Sequence, residues 1–274
     1  MKKLISLLIA TAALAALAFT ACSSTKGSGD IISRTVTLKT NGKLKELEVS
    51  NGIIANYTLS PKAKTITCTI KGPRKFNERV KVILDDGELK VRTVDRRGIG
   101  TSRNESVIVN ITAPAIDDFE GNSGSIVNIC SPLKTDGKIT FDASSGAIIN
   151  VSKTVAGKSL DIDASSGCAI NFSATASISG KAVIDLSSGA TTSLALTCNT
   201  LSIDLSSGAI ATVSGSAATV VADLSSGAIV NADKLKVSDR FTVDASSGAI
   251  VNCHSSLAGK VRIDKSSGAI VNYK

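Results

Sequence analysis

The chain has 274 residues, 31 basic against 23 acidic, and is 43% hydrophobic but only 3% aromatic, with no Trp. So few large rings cannot fill a wide core, so a chain of this length must build a thin core from many small pieces. The formal charge of +8 gathers before Asp118 (16 basic against 11 acidic from Asp30, then 12 against 12 from Phe119). The excess lacks Arg clusters or interleaved aromatics, which gives a nucleic-acid-binding class no support.

The N-terminus reads as an address. MKKLISLLIATAALAALAFTAC places Lys2 and Lys3 before an apolar run too short to span a bilayer comfortably, then small residues before Cys22. Phe19-Thr20-Ala21-Cys22 is similar to a bacterial lipoprotein cleavage site, with Phe where Leu is commoner. The similarity implies removal of residues 1–21 and a membrane partner held through lipid on Cys22. An ordinary secretory signal is the alternative. Buried methylenes contribute about 0.8 kcal/mol each, so several acyl chains make a stable anchor. Ser23 fits sorting to the outer membrane, and residues 22–31, with SSTKGSGD, form a flexible tether.

Residues 32–274 read as one β domain, an early portion at 32–118 and regular repeats at 119–274. In the early portion Ile66, Cys68 and Ile70 alternate with threonines, the period-two mark of a strand. VKVILDDGELKVRT centres a hairpin on Asp86-Gly87, and this region is expected to begin or cap one end of the domain.

From Phe119 onward one phrase recurs, as in FDASSGAIINV and VDASSGAIVNC. Its glycines are Gly146, Gly167, Gly189, Gly208, Gly227, Gly248 and Gly268, about 20 residues apart, with degenerate copies at Gly124 and Gly52. A period near 20 marks a solenoid whose coils stack. Counting from each glycine as zero, positions −7, −5, −3, +1, +3 and +5 are apolar or small, as in Phe241, Val243, Ala245, Ala249, Val251 and Cys253. Those positions point inward and the polar ones between them outward. The SSG breaks the strand into a corner, with the glycine in a backbone conformation closed to other residues. The Ser at −1 is expected to face the corner interior. Each coil then climbs one strand spacing, roughly 4.8 Å, and like stacks over like. Lys265 stands at −3 of the last copy, where a charge discourages further stacking.

The string D-[AL]-S-S-G-A at this spacing, preceded by LKELEVSNGIIANYTLSPKAKTITCTIKG and SVIVNITAPAIDDFEGNSGSIVNI, resembles the head GIN domain family of auto-transporter adhesins. The resemblance runs from about Ile32 to Lys274, although the family often has an S-G-S-G-D corner where this chain has S-S-G-A-I. It implies a right-handed parallel β-helix, exported and often lipid-anchored, with no catalytic residues to carry over.

Two outward columns could carry chemistry. Asp142, Asp163, Asp185, Asp204, Asp223, Asp244 and Asp264 occupy position −4. Stacked carboxylates repel by roughly 0.8 kcal/mol per neighbouring pair in water, so something must offset them. Calcium is one answer, and hydrogen bonds from the SSG corner are the other. One carboxylate per coil, with no G-G-x-G-x-D nonapeptide, favours a structural corner ladder. Positions +2 and +4 carry Ile126 and Asn128, Ile148 and Asn150, Ile229 and Asn231, Ile250 and Asn252, and Ile270 and Asn272, lapsing at Thr191 and Ser193 and at Ile210 and Thr212. Strand parity turns them outward as a candidate binding face. A local bend would instead bury Asn as an internal ladder. Cys68, Cys130, Cys168, Cys198 and Cys253 have no C-x-x-C spacing and read as small buried hydrophobes, and the single His254 makes a zinc site improbable.

The sequence is thus expected to encode a non-enzymatic, lipid-anchored cell-envelope protein of adhesin type, without cofactor, meeting a surface glycan or protein ligand. The alternatives are a self-associating scaffold with the Ile stripe as a homo-oligomer face, or a glycan-active β-helix enzyme. The repeat is too uniform to single out two catalytic carboxylates.

Overall fold

The computed structural model describes residues 16–18, 30–95, 97–99, 106–253 and 260–273; Cys22, most of the leader and tether, and His254 lie outside these. The fold is a parallel β-helix, as the period implies. Each coil contributes a strand before the corner, a strand after it and a short return. The pre-corner strands Asp118–Gly121, Lys138–Ala143, Ser159–Ala164 and Lys181–Leu186 pair in parallel, with homologous residues facing one another: Asp142 opposite Asp163, Asp163 opposite Asp185. The post-corner strands Ile126–Ile129, Ile148–Val151 and Ala169–Phe172 do the same.

Coil length decides how the return is made. The two 19-residue coils ending at Gly208 and Gly227 run unbroken strands, Thr191–Leu205 and Ile210–Leu224. The 21-residue coil ending at Gly248 keeps an unbroken Ile229–Ala245 by taking its two extra residues as register shifts, opposite Thr212/Ser214 and Ala217/Thr219.

The corner is a β-turn closed by the N–H of position +1 donating to the C=O of −2, as Ala228 to Ser225 at 3.0 Å. Both central residues have positive φ, Ser226 at 52° and Gly227 at 73°, the type I′ pattern. The Ser at −1 therefore faces solvent rather than the corner interior, which corrects the expectation from sequence: a left-handed residue turns its side chain away from the coil. The coils are also joined here, since each corner glycine N–H donates to the next coil's −1 carbonyl, as Gly227 to Ser247 at 3.0 Å.

The core is one continuous apolar cluster filled by the inward positions; Ile149, Val151, Leu201, Val220, Val243 and Val251 are fully buried. Cys68, Cys168, Cys198 and Cys253 are buried free thiols. Cys130 is exposed, contrary to expectation, because it lies one residue beyond the inward Ile129 and parity turns it out. At the last coil Lys265 is exposed, as are Val261, Ile270 and Tyr273.

The early portion departs from simple stacking. Asp86 and Gly87, with φ of 45° and 85°, turn the hairpin Val80–Asp85/Glu88–Thr93 as expected. Its second strand, however, belongs to the solenoid. Glu88–Thr93 pairs in parallel with Glu46–Val49, and Ile108–Ala113 with Ile54–Leu59. The other edges of Glu46–Val49 and Ile54–Leu59 pair with Asp118–Gly121 and Ile126–Ile129. The first coil in sequence is therefore second in space, enclosed between two coils made later. Beyond it the post-corner sheet continues antiparallel through Thr65–Pro73 to Ile31–Lys39, which carries Ala16–Ala18 on its far edge. A single helical turn, Arg74–Asn77, buries Asn77, whose side chain donates to the Ile32 and Ile70 carbonyls and accepts from Arg34 Nε at 2.9 Å. Core aromatics collect at this end: Tyr57, Phe119, Phe141 and Phe172 contact in series at centroid distances of 5.4, 5.5 and 5.4 Å. No helix among the described residues is long and apolar enough to cross a membrane.

Candidate binding face

Strand parity places positions +2 and +4 on the outer face of the post-corner sheet. Ile148, Ile229 and Ile250 are half-buried there, and Ile270 is 50% exposed. The isoleucines stack in register, Ile54 beside Ile126 beside Ile148, and Ile210 beside Ile229 beside Ile250 beside Ile270, with Ala169 and Thr191 between the two runs.

The neighbouring asparagines form amide ladders. Asn56 Nδ2 donates to Asn110 Oδ1 at 2.8 Å, Asn128 to Asn56 at 2.8 Å, Asn150 to Asn128 at 2.9 Å and Asn171 to Asn150 at 3.3 Å. A second ladder joins Asn252 to Asn231 and Asn272 to Asn252, each at 2.8 Å. Ser193 and Thr212 occupy the gap. The ladder forms, but on the outer face and not within the core, because the strands stay in register through the corner. An Asn inside a ladder spends one N–H and one lone pair on its neighbours and keeps the other N–H and acceptor site for a ligand. The face thus offers a repeating donor and acceptor at one strand spacing beside an apolar ridge.

The Asp column is also outward. Asp142 is half-buried and Asp163, Asp185, Asp204, Asp223, Asp244 and Asp264 are exposed. Among the described residues no hydrogen bond from the SSG corner reaches any of them; the one bond to this column is Arg262 Nε donating to Asp264 at 2.9 Å. This corrects the corner-ladder reading. The corner N–H groups at −2, 0 and +1 are already taken by backbone carbonyls, as Ser225 to Leu205, Gly227 to Ser247 and Ala228 to Ser225. The column bears its own repulsion: burial first, then neighbouring carboxylates, hold Asp142, Asp185 and Asp223 above the ordinary carboxylate range. It continues through Glu120 and Glu48 to Lys90. There Glu46, Glu48 and Glu120 bring carboxylate oxygens within 4.8 Å of one another. Burial, and then the Glu120 carboxyl, push Glu46 up to about 8. A proton retained on Glu46 relieves the repulsion within this trio around neutral pH.

The comparisons agree on the family. Residues 43–182 and 173–274 match the family model described as "Putative auto-transporter adhesin, head GIN domain". The chain belongs to this family. Solved structures share the fold: an adhesin, described as putative, from Parabacteroides distasonis has a TM-score of 0.75 at 14% identity, covering 90% of this chain and 98% of its own. Its counterpart from Parabacteroides merdae gives 0.74 at 13%, covering 92% and 100%. A third, from P. distasonis and described as a putative lipid binding protein, gives 0.66 at 12%, covering 88% and 96%. At such identities the likeness establishes the fold alone. No curated protein matches the chain.

Sequence reasoning passed over Asn56, Asn110 and Asn171, which extend the amide ladder. Asn56 stands at +4 from Gly52 and Asn171 at +4 from Gly167, so the repeat register alone would have found them. Asn110 belongs to a coil with no SSG corner and carries no such mark.

Proposed function

We propose that this GIN-domain protein is a non-enzymatic envelope adhesin. It is anchored by lipid on Cys22 in the outer membrane and presents the Ile and Asn columns of the post-corner sheet to a glycan or protein ligand. The observation that supports this most strongly is the in-register face itself, with Ile148, Ile229, Ile250 and Ile270 beside laddered Asn150, Asn231, Asn252 and Asn272. Such a surface binds by many weak, repeated contacts, and multivalency needs no pocket. Family membership supports an adhesive role.

Protease shaving of intact cells tests the reading. Surface exposure predicts loss of the domain from unbroken cells, and complete protection would place it in the periplasm and end the adhesin account. Replacing Cys22 with Ala should release the chain from membranes; unchanged membrane retention would overturn the lipid anchor. The exposed Val261, Ile270 and Tyr273 of the last coil favour a second reading, self-association into a scaffold. Sedimentation separates the two, since a strict monomer rules out the scaffold.

A further inference from the structure

The out-of-order coil builds a polar recess that the binding face does not use. In Glu88–Thr93, residues Leu89, Val91 and Thr93 point inward, leaving Glu88, Lys90 and Arg92 half-buried on the outer face. Ser50 N–H donates to Val91 O at 3.1 Å, which brings Arg92 beside the first corner. Glu48, Ser50, Asn51, Lys90, Arg92, Asn122 and Ser123 line a recess of ≈ 580 Å³.

The lining divides into groups that are satisfied and groups that are not. Lys90 Nζ lies 2.8 Å from Glu88 and 3.9 Å from Glu48, so its charge is matched. Asn51, only 8% exposed, is fixed: its Oδ1 accepts from Ser50 Oγ at 3.1 Å and from Thr93 N at 3.4 Å. Asn122 donates one amide hydrogen to Glu120 at 2.5 Å, keeping the second, and its Oδ1 accepts from Ser144. The Arg92 guanidinium has no hydrogen bond or ion pair among the described residues, and neither has the exposed Ser123 hydroxyl.

An unpaired guanidinium on a half-buried residue can hold a planar anion bidentately. The free hydroxyl and the spare amide hydrogen beside it suit a ligand carrying hydroxyls. We propose that this recess binds the carboxylate of an acidic sugar residue, with Arg92 as the anion clamp and Ser123 and Asn122 reading neighbouring hydroxyls. The assignment rests on the adhesin reading and supplies its ligand class. The recess lies at the end of the Asp column on the pre-corner side and so adds a charge recognition that the Ile and Asn columns lack. Lys90, 2.8 Å from Glu88 and 3.9 Å from Glu48, offsets part of the carboxylate charge beside the recess, and among the described residues Arg92 is the one cation of its lining without an ion pair.

Calorimetric titration of the chain from Cys22 onward tests this, with galacturonate, glucuronate and sialic-acid oligosaccharides and their methyl esters as probes. At least one acid should bind tenfold or more tighter than its ester. Arg92→Gln should remove that preference with an unchanged thermal midpoint, and Arg92→Lys should retain only part of it. Lys153→Ala, in an exposed return that belongs neither to the recess nor to the Ile and Asn columns, should leave it intact. Failure of every acid to bind, equal binding of acid and ester, or a preference that survives in Arg92→Gln would each overturn the proposal. If Arg92-dependent binding holds but intact cells never display the domain, the adhesin reading falls and the recess stands.

Discussion

The two ends of this solenoid are held by different means. In the regular half, from Gly146 to Gly268, each coil meets a near copy of itself about 20 residues away, and its corner glycines have open space where a Cβ would sit. At the other end Glu46–Val49 pairs with Asp118–Gly121 across some seventy residues, and the core is an aromatic series. Gly52 is hemmed in, since a Cβ there would lie 2.1 Å from Ile99 O. The contrast shows how one corner motif serves two purposes. In the repeats it turns the chain and passes one hydrogen bond to the next corner, as Gly227 to Ser247; in the early portion it is also packed against the backbone of Ile99. Long-range pairing of this kind closes slowly, so the order of assembly should follow the same division.

Substitutions can break or sharpen that contrast. The largest loss is expected for Phe119→Ala, which opens the stack between Tyr57 and Phe141 and should cost about 3–5 kcal/mol by denaturant unfolding. A loss below 1 kcal/mol would show that the aromatics do not carry this end. Next comes a pair of corners. Gly227→Ala meets nothing within 4 Å and should cost only the left-handed conformation, about 1–2 kcal/mol. Gly52→Ala adds the clash with Ile99 and should cost at least twice as much; equal losses would erase the distinction.

Asn150→Ala, in the middle of a ladder, should cost about 1 kcal/mol. Ser193→Ala, in the gap, should be neutral within error. Acidity should act mainly on the early end. A carboxyl whose folded value is raised binds its proton more tightly folded than unfolded. Its stabilisation is full below the ordinary carboxylate range and is lost as pH rises toward the folded value, for Glu46 about 8. The thermal midpoint should therefore fall between pH 5 and 8, and Glu46→Gln should flatten the curve; an unchanged slope in that variant would remove Glu46 from the account. The smallest effect belongs to Ser226→Asn, which places at a repeat corner the residue that the first corner has in Asn51. Asn accepts positive φ more readily than Ser, and a gain of a few tenths of a kcal/mol in unfolding free energy is expected.

Much of this was legible in the chain. The SSG register revealed the stacking, the inward positions gave the core, and Asp86-Gly87 marked its hairpin, because each of these is a local pattern repeated or a two-residue turn with a fixed backbone. The enclosure of the first coil was not legible. Leu47, Val49 and Ala55 carry the same inward pattern as any other coil, and that pattern says nothing about which coil lies beside which. The −1 serines were misplaced because period-two parity stops at the corner, where two left-handed residues reset the direction of the side chains. Outward Ile148 and Asn150 followed from parity, but the amide ladder depends on register between coils. Arg92 gave no signal either: it differs from any solvated strand residue only in what fails to pair with it in three dimensions.

The enclosure of the first coil is the claim on which the fold and the recess both depend. Pairwise cysteine cross-linking in a background free of native thiols tests it most directly, using positions 48, 90 and 120. Neighbouring strands lie about 4.8 Å apart, within disulfide reach, and next-nearest strands about twice that, beyond it. The pairs 48–90 and 48–120 should both close, and 90–120 should not. Closure of 90–120 with failure of 48–120 would mean that the coils stack in another order, and both the seam and the Arg92 recess would have to be abandoned.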